Sequence, residues 1–359
     1  MIKKYNIFFY WYAQKFKICV FFANVFCSFI IMLLFLAVLK ILFPVFLLGL
    51  VGFIWSKWNF DYPIDFVTRL TMNIALPCLI FTSLMNTDID SQLLNLIILG
   101  SVLTYFILTI CCYIFIRLIR IDNATFLPPM IFGNTGNLGL PLAYFSFGSE
   151  GLNYAIIIFT VMGIYSFTFG IWILSGNSNY KEIVKSPIFI SCILGSISLF
   201  TGIKTPDFVT NSIELIGQMA IPLMLITLGV SVATLKLRNF YISFYVVIYR
   251  TLICLAVSVG VALYFNFPDV PTAILILQLT TPVAVTSYLL SEKYKRNPND
   301  VASLVVLSTV LSIFYIPIIL IFLIWFLKLN LYITYKYSNY EIIMATTKNS
   351  KKTKTRKKN

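Results

Sequence analysis

The sequence predicts an all-α polytopic membrane protein: ten core transmembrane helices in a 5+5 inverted repeat, with the fourth and ninth broken and crossed. Three observations carry that prediction. The 359 residues are 59% hydrophobic and only 11% charged, with a mean hydropathy of +0.90, whereas soluble domains are about a quarter charged. Apolar runs near the ~20 residues needed to cross a bilayer recur along most of the chain, without the polar–apolar alternation of an outer-membrane barrel. Two of these runs are interrupted in the middle, at corresponding places in the two halves.

Taken in order, the apolar runs read as spans over 41–55, 65–85, 92–119, 126–148 and 153–174. A short polar linker follows, holding Gly176, Asn177, Ser178 and Asn179, and then spans over 188–203, 207–235, 240–265, 270–294 and 298–327. The first repeat is 38–174, the linker 175–187 and the second repeat 188–328. The halves match weakly. Asn73-x-Ala75-Leu76-Pro77 answers Gln218-x-Ala220-Ile221-Pro222, and Thr82 and Thr227 follow at one offset. Five helices per half place the two repeats in opposite orientations, the plan of many secondary transporters.

The fourth span contains Gly133-Asn134-Thr135-Gly136-Asn137-Leu138-Gly139-Leu140-Pro141, a run that a continuous helix does not accommodate. In lipid, irregular backbone persists only where protein or a watery cavity satisfies its amides and carbonyls, so the break is a candidate binding site. In the ninth span Thr280-Thr281-Pro282 interrupts a similar run.

Basic residues orient the spans. Lys57, Arg117, Arg120, Lys185, Lys293 and Arg296 fall on one side, while Asp88, Asp90, Glu150, Asp207 and Asp269 fall on the other with Lys204. The first side, with the linker, is cytoplasmic by the positive-inside rule, leaving both ends of the ten-helix core outside. The ends of the chain fit less simply. Residues 1–37 are a basic and apolar extension with two readings: an extra helix over 18–36, or a true start at Met32. The basic tail 329–359 reads as disordered, and its charge conflicts with an outside location.

At the fourth span the motif Asn134-x-Gly136-Asn137-x-Gly139-x-Pro141 resembles the auxin efflux carrier family, which includes malonate, malate and auxin carriers. Ala75-Leu76-Pro77-Cys78-Leu79-Ile80-Phe81, Gly217-Gln218-Met219-Ala220-Ile221-Pro222-Leu223, Pro282-Val283-Ala284 and the stretch 301–309 are similar to the same family, so the resemblance covers about residues 38 to 328. It implies a scaffold of the first, second, sixth and seventh spans, a transport domain that moves against it like an elevator, and a homodimer formed through the scaffold. Related bile acid symporters bind sodium at the crossing through a carboxylate on the ninth span. Here that span offers Gln278, Thr280 and Thr281 but no Asp or Glu before Glu292, which favours proton coupling or electrogenic uniport over sodium coupling.

The substrate-binding candidates are therefore Asn134, Thr135, Gly136, Asn137, Gly139 and Pro141 from the fourth span, with Gln278, Thr280, Thr281 and Pro282 from the ninth. The asparagines supply donors and acceptors, glycine permits close approach, and the N-terminal end of a half-helix suits a carboxylate. The bland alternative is that these side chains only satisfy freed backbone. Glu214 and Arg250 are the deep ionisable candidates, with gating or charge compensation as their candidate roles. Asn73 and Gln218 either line a substrate path or bridge neighbouring helices, with Pro77 and Pro222 as kinks.

The expected function is a permease for a small organic anion, a mono- or dicarboxylate, in a plasma membrane, with a bacterial inner membrane as the default. Its partners are that anion and the bilayer. A transporter-like receptor or an anion channel is the rival reading. The net charge of +14 does not point to nucleic acid, because outside the tail its basic residues lie mostly at span ends. With no histidine, no CxxC pair among seven cysteines and no paired membrane aspartates, neither a metal site, a cofactor nor an intramembrane enzyme is expected.

Overall fold

A computed structural model describes residues 32, 36, 38–86, 90–175, 185–235 and 239–326. Nearly all of the N-terminal extension, most of the linker and the whole basic tail lie outside the described residues. The chain divides into two compact units, Ile41–Pro317 and a second made of Met1–Lys40 with Ile318–Asn359. In the second unit the described parts are short helical stretches that continue the first and last helices. The first unit holds both helical interruptions and the helices that surround them.

The protein is all-helical, with no strand among the described residues. The helices are α1 (Val38–Lys57), α2 (Ile64–Met85), α3 (Ser91–Ile119), α4 (Asn123–Ile131), α5 (Thr135–Leu174), α6 (Pro187–Thr201), α7 (Asp207–Thr234), α8 (Phe240–Tyr264), α9 (Asp269–Thr280), α10 (Val285–Lys293) and α11 (Pro298–Phe326). Seven are long and apolar enough to cross a membrane: α1, α2, α3, α5, α7, α8 and α11. The protein is thus a multi-pass membrane protein.

Local chemistry explains where these helices bend. α5 turns a corner at Phe147 and Gly148, the latter at φ 62° and ψ −152°, a backbone state essentially reserved for glycine. Pro77 has no N–H and leaves the carbonyl of Asn73 without its helical donor. α2 absorbs this in a π-helical turn over Thr71–Ala75. Pro222 does the same to Gln218, and α7 loosens into a turn at Met219. The amide-x-x-x-Pro spacing therefore marks two carbonyls released by proline. The side chains of Asn73 and Gln218 are exposed and make no hydrogen bond to a described residue, so the expected interhelical bridges are absent here.

Packing sorts the helices into neighbourhoods. α2 rests mainly on α6 and α7, whereas α3, α4, α5, α8 and α9 pack on one another. In a bilayer, small residues let helix backbones approach closely and gain dispersion contacts. α1 and α7 use this device: a Cβ on Gly229 would run into the Gly49 carbonyl, and one on Gly52 into the Ile226 carbonyl. A Cβ on Gly49 meets nothing within 4 Å. Gly229→Ala should therefore cost about 1–3 kcal/mol by forcing the backbones apart. Gly49→Ala should be neutral or mildly stabilising. Melting temperatures of the two variants in detergent check this contrast.

Candidate functional site

Two helical interruptions face each other. α4 ends at Ile131, Phe132 turns extended (φ −91°, ψ 109°), and α5 begins at Thr135. α9 ends at Thr280 and α10 begins at Val285. Between them Gly133 and Val283 form an isolated antiparallel bridge. The Asn134 N–H donates to the Pro282 carbonyl at 2.7 Å, and the Ala284 N–H donates to the Phe132 carbonyl at 3.3 Å. The Val283 N–H donates to Ser308 Oγ on α11 at 2.9 Å. Each interruption thus supplies hydrogen bonds to the other.

The interruption before α5 is shorter than the Gly–Asn–Pro run suggests. Only Phe132 to Asn134 leave the helix. The Asn134 carbonyl accepts from the N–H groups of Leu138 (3.1 Å) and Gly139 (3.0 Å), which opens α5 with a π-helical turn over Thr135–Gly139. The asparagine therefore starts the second helix at once, and Pro141, which has no N–H, follows directly on that π-helical turn as Pro77 does in α2.

Close approach depends on particular glycines. A Cβ on Gly133 would lie 2.5 Å from Thr281 Oγ1 and 2.9 Å from Arg250 Nη2, and one on Gly139 would collide with the Gln278 amide. Gly136 faces the Phe159 ring, with a hypothetical Cβ 3.1 Å away.

Helix polarity divides the site. α4 and α9 arrive with their C-terminal ends, while α5 and α10 leave with their N-terminal ends. Helix ends carry about half an elementary charge, negative at the C-terminus and positive at the N-terminus. A cavity of about 60 Å³ lies on the side of α5 and α10, enough for a few waters at on the order of 10–15 Å³ each. Asn137 of α5 and Val285, Thr286 and Tyr288 of α10 form one wall. Thr68 and Thr71 of α2, with Thr227, Ser231 and Thr234 of α7, form another. Among the described residues, no charged side chain lines it. Asn137 Oδ1 and Thr71 Oγ1 are buried without a hydrogen-bond partner. The Tyr62 hydroxyl meets Thr227 Oγ1 at 2.8 Å.

Of the substrate-binding candidates read from the sequence, Asn137 alone lines this cavity. Asn134, Thr135, Gln278, Thr280 and Thr281 are buried around the crossing. Asn134 Nδ2, Thr135 Oγ1 and both amide atoms of Gln278 have no partner. Thr280 Oγ1 donates to the Ile276 carbonyl and Thr281 Oγ1 to the Gln278 carbonyl, both at 2.7 Å, so these hydroxyls bond within α9. Arg250 of α8, 1% exposed, donates through Nη1 to the Thr281 carbonyl at 2.7 Å. Glu214 stands apart on α7, accepting from Asn86 Nδ2 at 3.0 Å.

Sequence reasoning missed the cavity's hydroxyls. Thr227, Ser231 and Thr234 fall at i, i+4 and i+7, one face of a helix, and Thr68 and Thr71 at i and i+3. That stripe was the available signal. Asp122 was missed too. It caps α4, accepting from the Thr125 N–H at 2.9 Å and the Thr125 hydroxyl at 2.6 Å. Burial works against its charge, yet these bonds outweigh it and hold the carboxyl below its ordinary range.

The family model described as "Membrane transport protein" matches residues 37–184 and 175–320, most of the chain. The chain belongs to this family. It is the auxin efflux carrier family of the resemblance above. Among curated relatives, this transporter is 25% identical over 273 residues to an uncharacterized transporter of Methanocaldococcus jannaschii, covering 70% of the chain and 87% of the relative. It is 26% identical over 266 residues to an uncharacterized transporter of Methanothermobacter thermautotrophicus, covering 70% and 86% respectively. As a member of this family it meets a lipid bilayer and a transported substrate.

The crossing yields a stability prediction. Ser308→Ala strips the buried Val283 N–H of its acceptor, which should cost about 1–3 kcal/mol. A clearly lowered melting temperature in detergent is expected. Ser312→Ala, whose hydroxyl bonds only to the Thr309 carbonyl of its own helix, should shift it far less.

Proposed function

We propose that this protein is a secondary active transporter for a small organic anion, a mono- or dicarboxylate. In this reading the substrate binds at the N-terminal ends of α5 and α10 and crosses by elevator-type alternating access. The helices form ten spans in a 5+5 inverted repeat: α4 with the first arm of α5, and α9 with α10, are its two broken, crossed spans.

The observation that carries this reading is the Asn137 cavity. Two positive helix ends border a space with no charged side chain among its described lining residues. Asn137 brings to it an amide whose Nδ2 can donate, and the Thr71 hydroxyl there is unpartnered. A carboxylate is well served there by helix N-termini, an amide and hydroxyl donors. A site of helix ends, an amide and hydroxyls binds moderately, which favours release at the end of each cycle.

The opposite walls belong to the two packing neighbourhoods, α2 and α7 against α5 and α10. Sliding one past the other would carry Asn137 across the membrane while the α2 and α7 hydroxyls stay behind. The cavity includes Ile64, Thr234 and Leu235, on the side where Lys57 ends α1, Arg69 lies in the first turns of α2, and the loop after α7 carries Lys236 and Arg238. With those loops cytoplasmic, the described state is inward-facing, in a plasma membrane. Coupling to protons or electrogenic uniport, and a homodimer through the scaffold helices α1, α2, α6 and α7, complete the proposal.

Counterflow in proteoliposomes loaded with a panel of mono- and dicarboxylates tests it. The parent chain should show saturable exchange of at least one acid, and Asn137→Ala should reduce it about tenfold or more, the loss of one charge-assisted hydrogen bond in the bound state. Unchanged exchange in a correctly folded Asn137→Ala protein would remove the site from the cavity. Non-saturable flux would point to a channel, and no flux with any acid to a receptor.

A further inference from the structure

Arg250 lies deep in the protein on α8 and meets no carboxylate among the described residues. Nη1 binds the Thr281 carbonyl, just past the end of α9. Nη2 lies against Gly133, two residues past the end of α4. Nε and Nη2 are buried and make no hydrogen bond. No Asp or Glu occurs anywhere in 91–121, 123–149, 240–268, 270–291 or 301–326, the stretches that surround the crossing. The titratable groups that feel its charge are Tyr105, Tyr315, Cys112 and Cys254, none of them a carboxylate. Nor does Arg250 line the cavity that holds Asn137.

A guanidinium keeps its positive charge inside a protein, and a buried cation without compensation is strongly destabilising. The compensation available here is the two helix C-termini. Each carries about half a negative elementary charge, so α4 and α9 together offer about one, matching one arginine.

We infer that Arg250 is a tethered cation. Its guanidinium occupies the place where the paired C-terminal ends of α4 and α9 would otherwise bind a free monovalent cation. The inference rests on the transport reading above and adds its ion dependence. The crossing is already charge-neutralised in every state of the cycle, so no metal cation is carried there. Positive helix ends serve the substrate, negative ends serve Arg250, and the two sites stay separate within one crossing. The unpartnered Nε and Nη2 fit a group held by field more than by hydrogen bonds.

The test reads stability, so it does not depend on knowing the substrate. Purified full-length parent, Arg250→Ala and Arg250→Lys are melted in detergent. Sodium, potassium or a few millimolar guanidinium is compared with choline at constant ionic strength. Arg250→Ala should melt lower than the parent by roughly 5 °C or more. Guanidinium or an alkali cation should restore part of that loss saturably, and choline should not. Arg250→Lys should keep most of the parent's stability, and the parent should respond equally to sodium, potassium and choline. An Arg250→Ala protein as stable as the parent, or one lowered without any cation-specific recovery, would overturn the inference. Where Arg250→Ala does not survive purification, Arg250→Lys and the parent decide it. A lysine variant that is also lost, or a parent stabilised saturably by sodium alone, overturns it. Loss of counterflow with these cation responses intact would instead count against the transport reading.

Discussion

Two stretches of chain leave the helix within an apolar protein, and each must find partners for its amides and carbonyls. Water is scarce there, and an unsatisfied group costs several kcal/mol in lipid. Pairing the two interruptions with each other, Gly133 against Val283, meets that demand with two backbone bonds between them, and the Ser308 hydroxyl accepts a third from the Val283 N–H. The rest of the site depends on this pairing. It requires Gly133 and Gly139 to lack side chains, because Thr281, Arg250 and Gln278 occupy the space a Cβ would need. It also brings four helix ends together at one place.

Those ends are of two kinds, and they divide the chemistry. The C-terminal ends of α4 and α9 face a buried arginine. The N-terminal ends of α5 and α10 border a cavity whose described lining mixes apolar side chains with hydroxyls and the Asn137 amide. A transporter must bind its substrate and also release it, so a site built from partial charges and hydroxyls suits a cycle better than a fixed ion pair. The hydroxyls of α2 and α7 fit the same logic, presenting replaceable hydrogen bonds from the neighbourhood that lies across the cavity from Asn137.

Much of this was legible in the sequence, and the physical reasons for what was not are specific. Helix ends were readable to within a few residues because apolar runs, loop charges and the Gly–Asn–Pro run mark them. The extent of the interruption was not, because Asn134 captures Leu138 and Gly139 in a π-helical turn, a geometry no residue pattern announces. Thr280 and Thr281 looked like ligands, but a threonine in a helix can bond to its own carbonyls, as both do. Arg250 was recognised as deep, whereas its place at the ends of α4 and α9 depends on how α8 packs. The stripe Thr227, Ser231, Thr234 has helical spacing, yet hydroxyls are common in membrane helices. Only its position opposite Asn137 gives it meaning.

The central claim is that the cavity beside Asn137, and not the packed crossing behind it, is the accessible part of the site. Single cysteines in a cysteine-free background, reacted with a small hydrophilic maleimide in detergent, test this most directly. Asn137→Cys and Thr227→Cys should label, whereas Gln278→Cys and Thr281→Cys should stay unreactive until the protein is unfolded. Rapid labelling at 278 or 281 with none at 137 would contradict the account, placing the open space on the side of the helix C-termini.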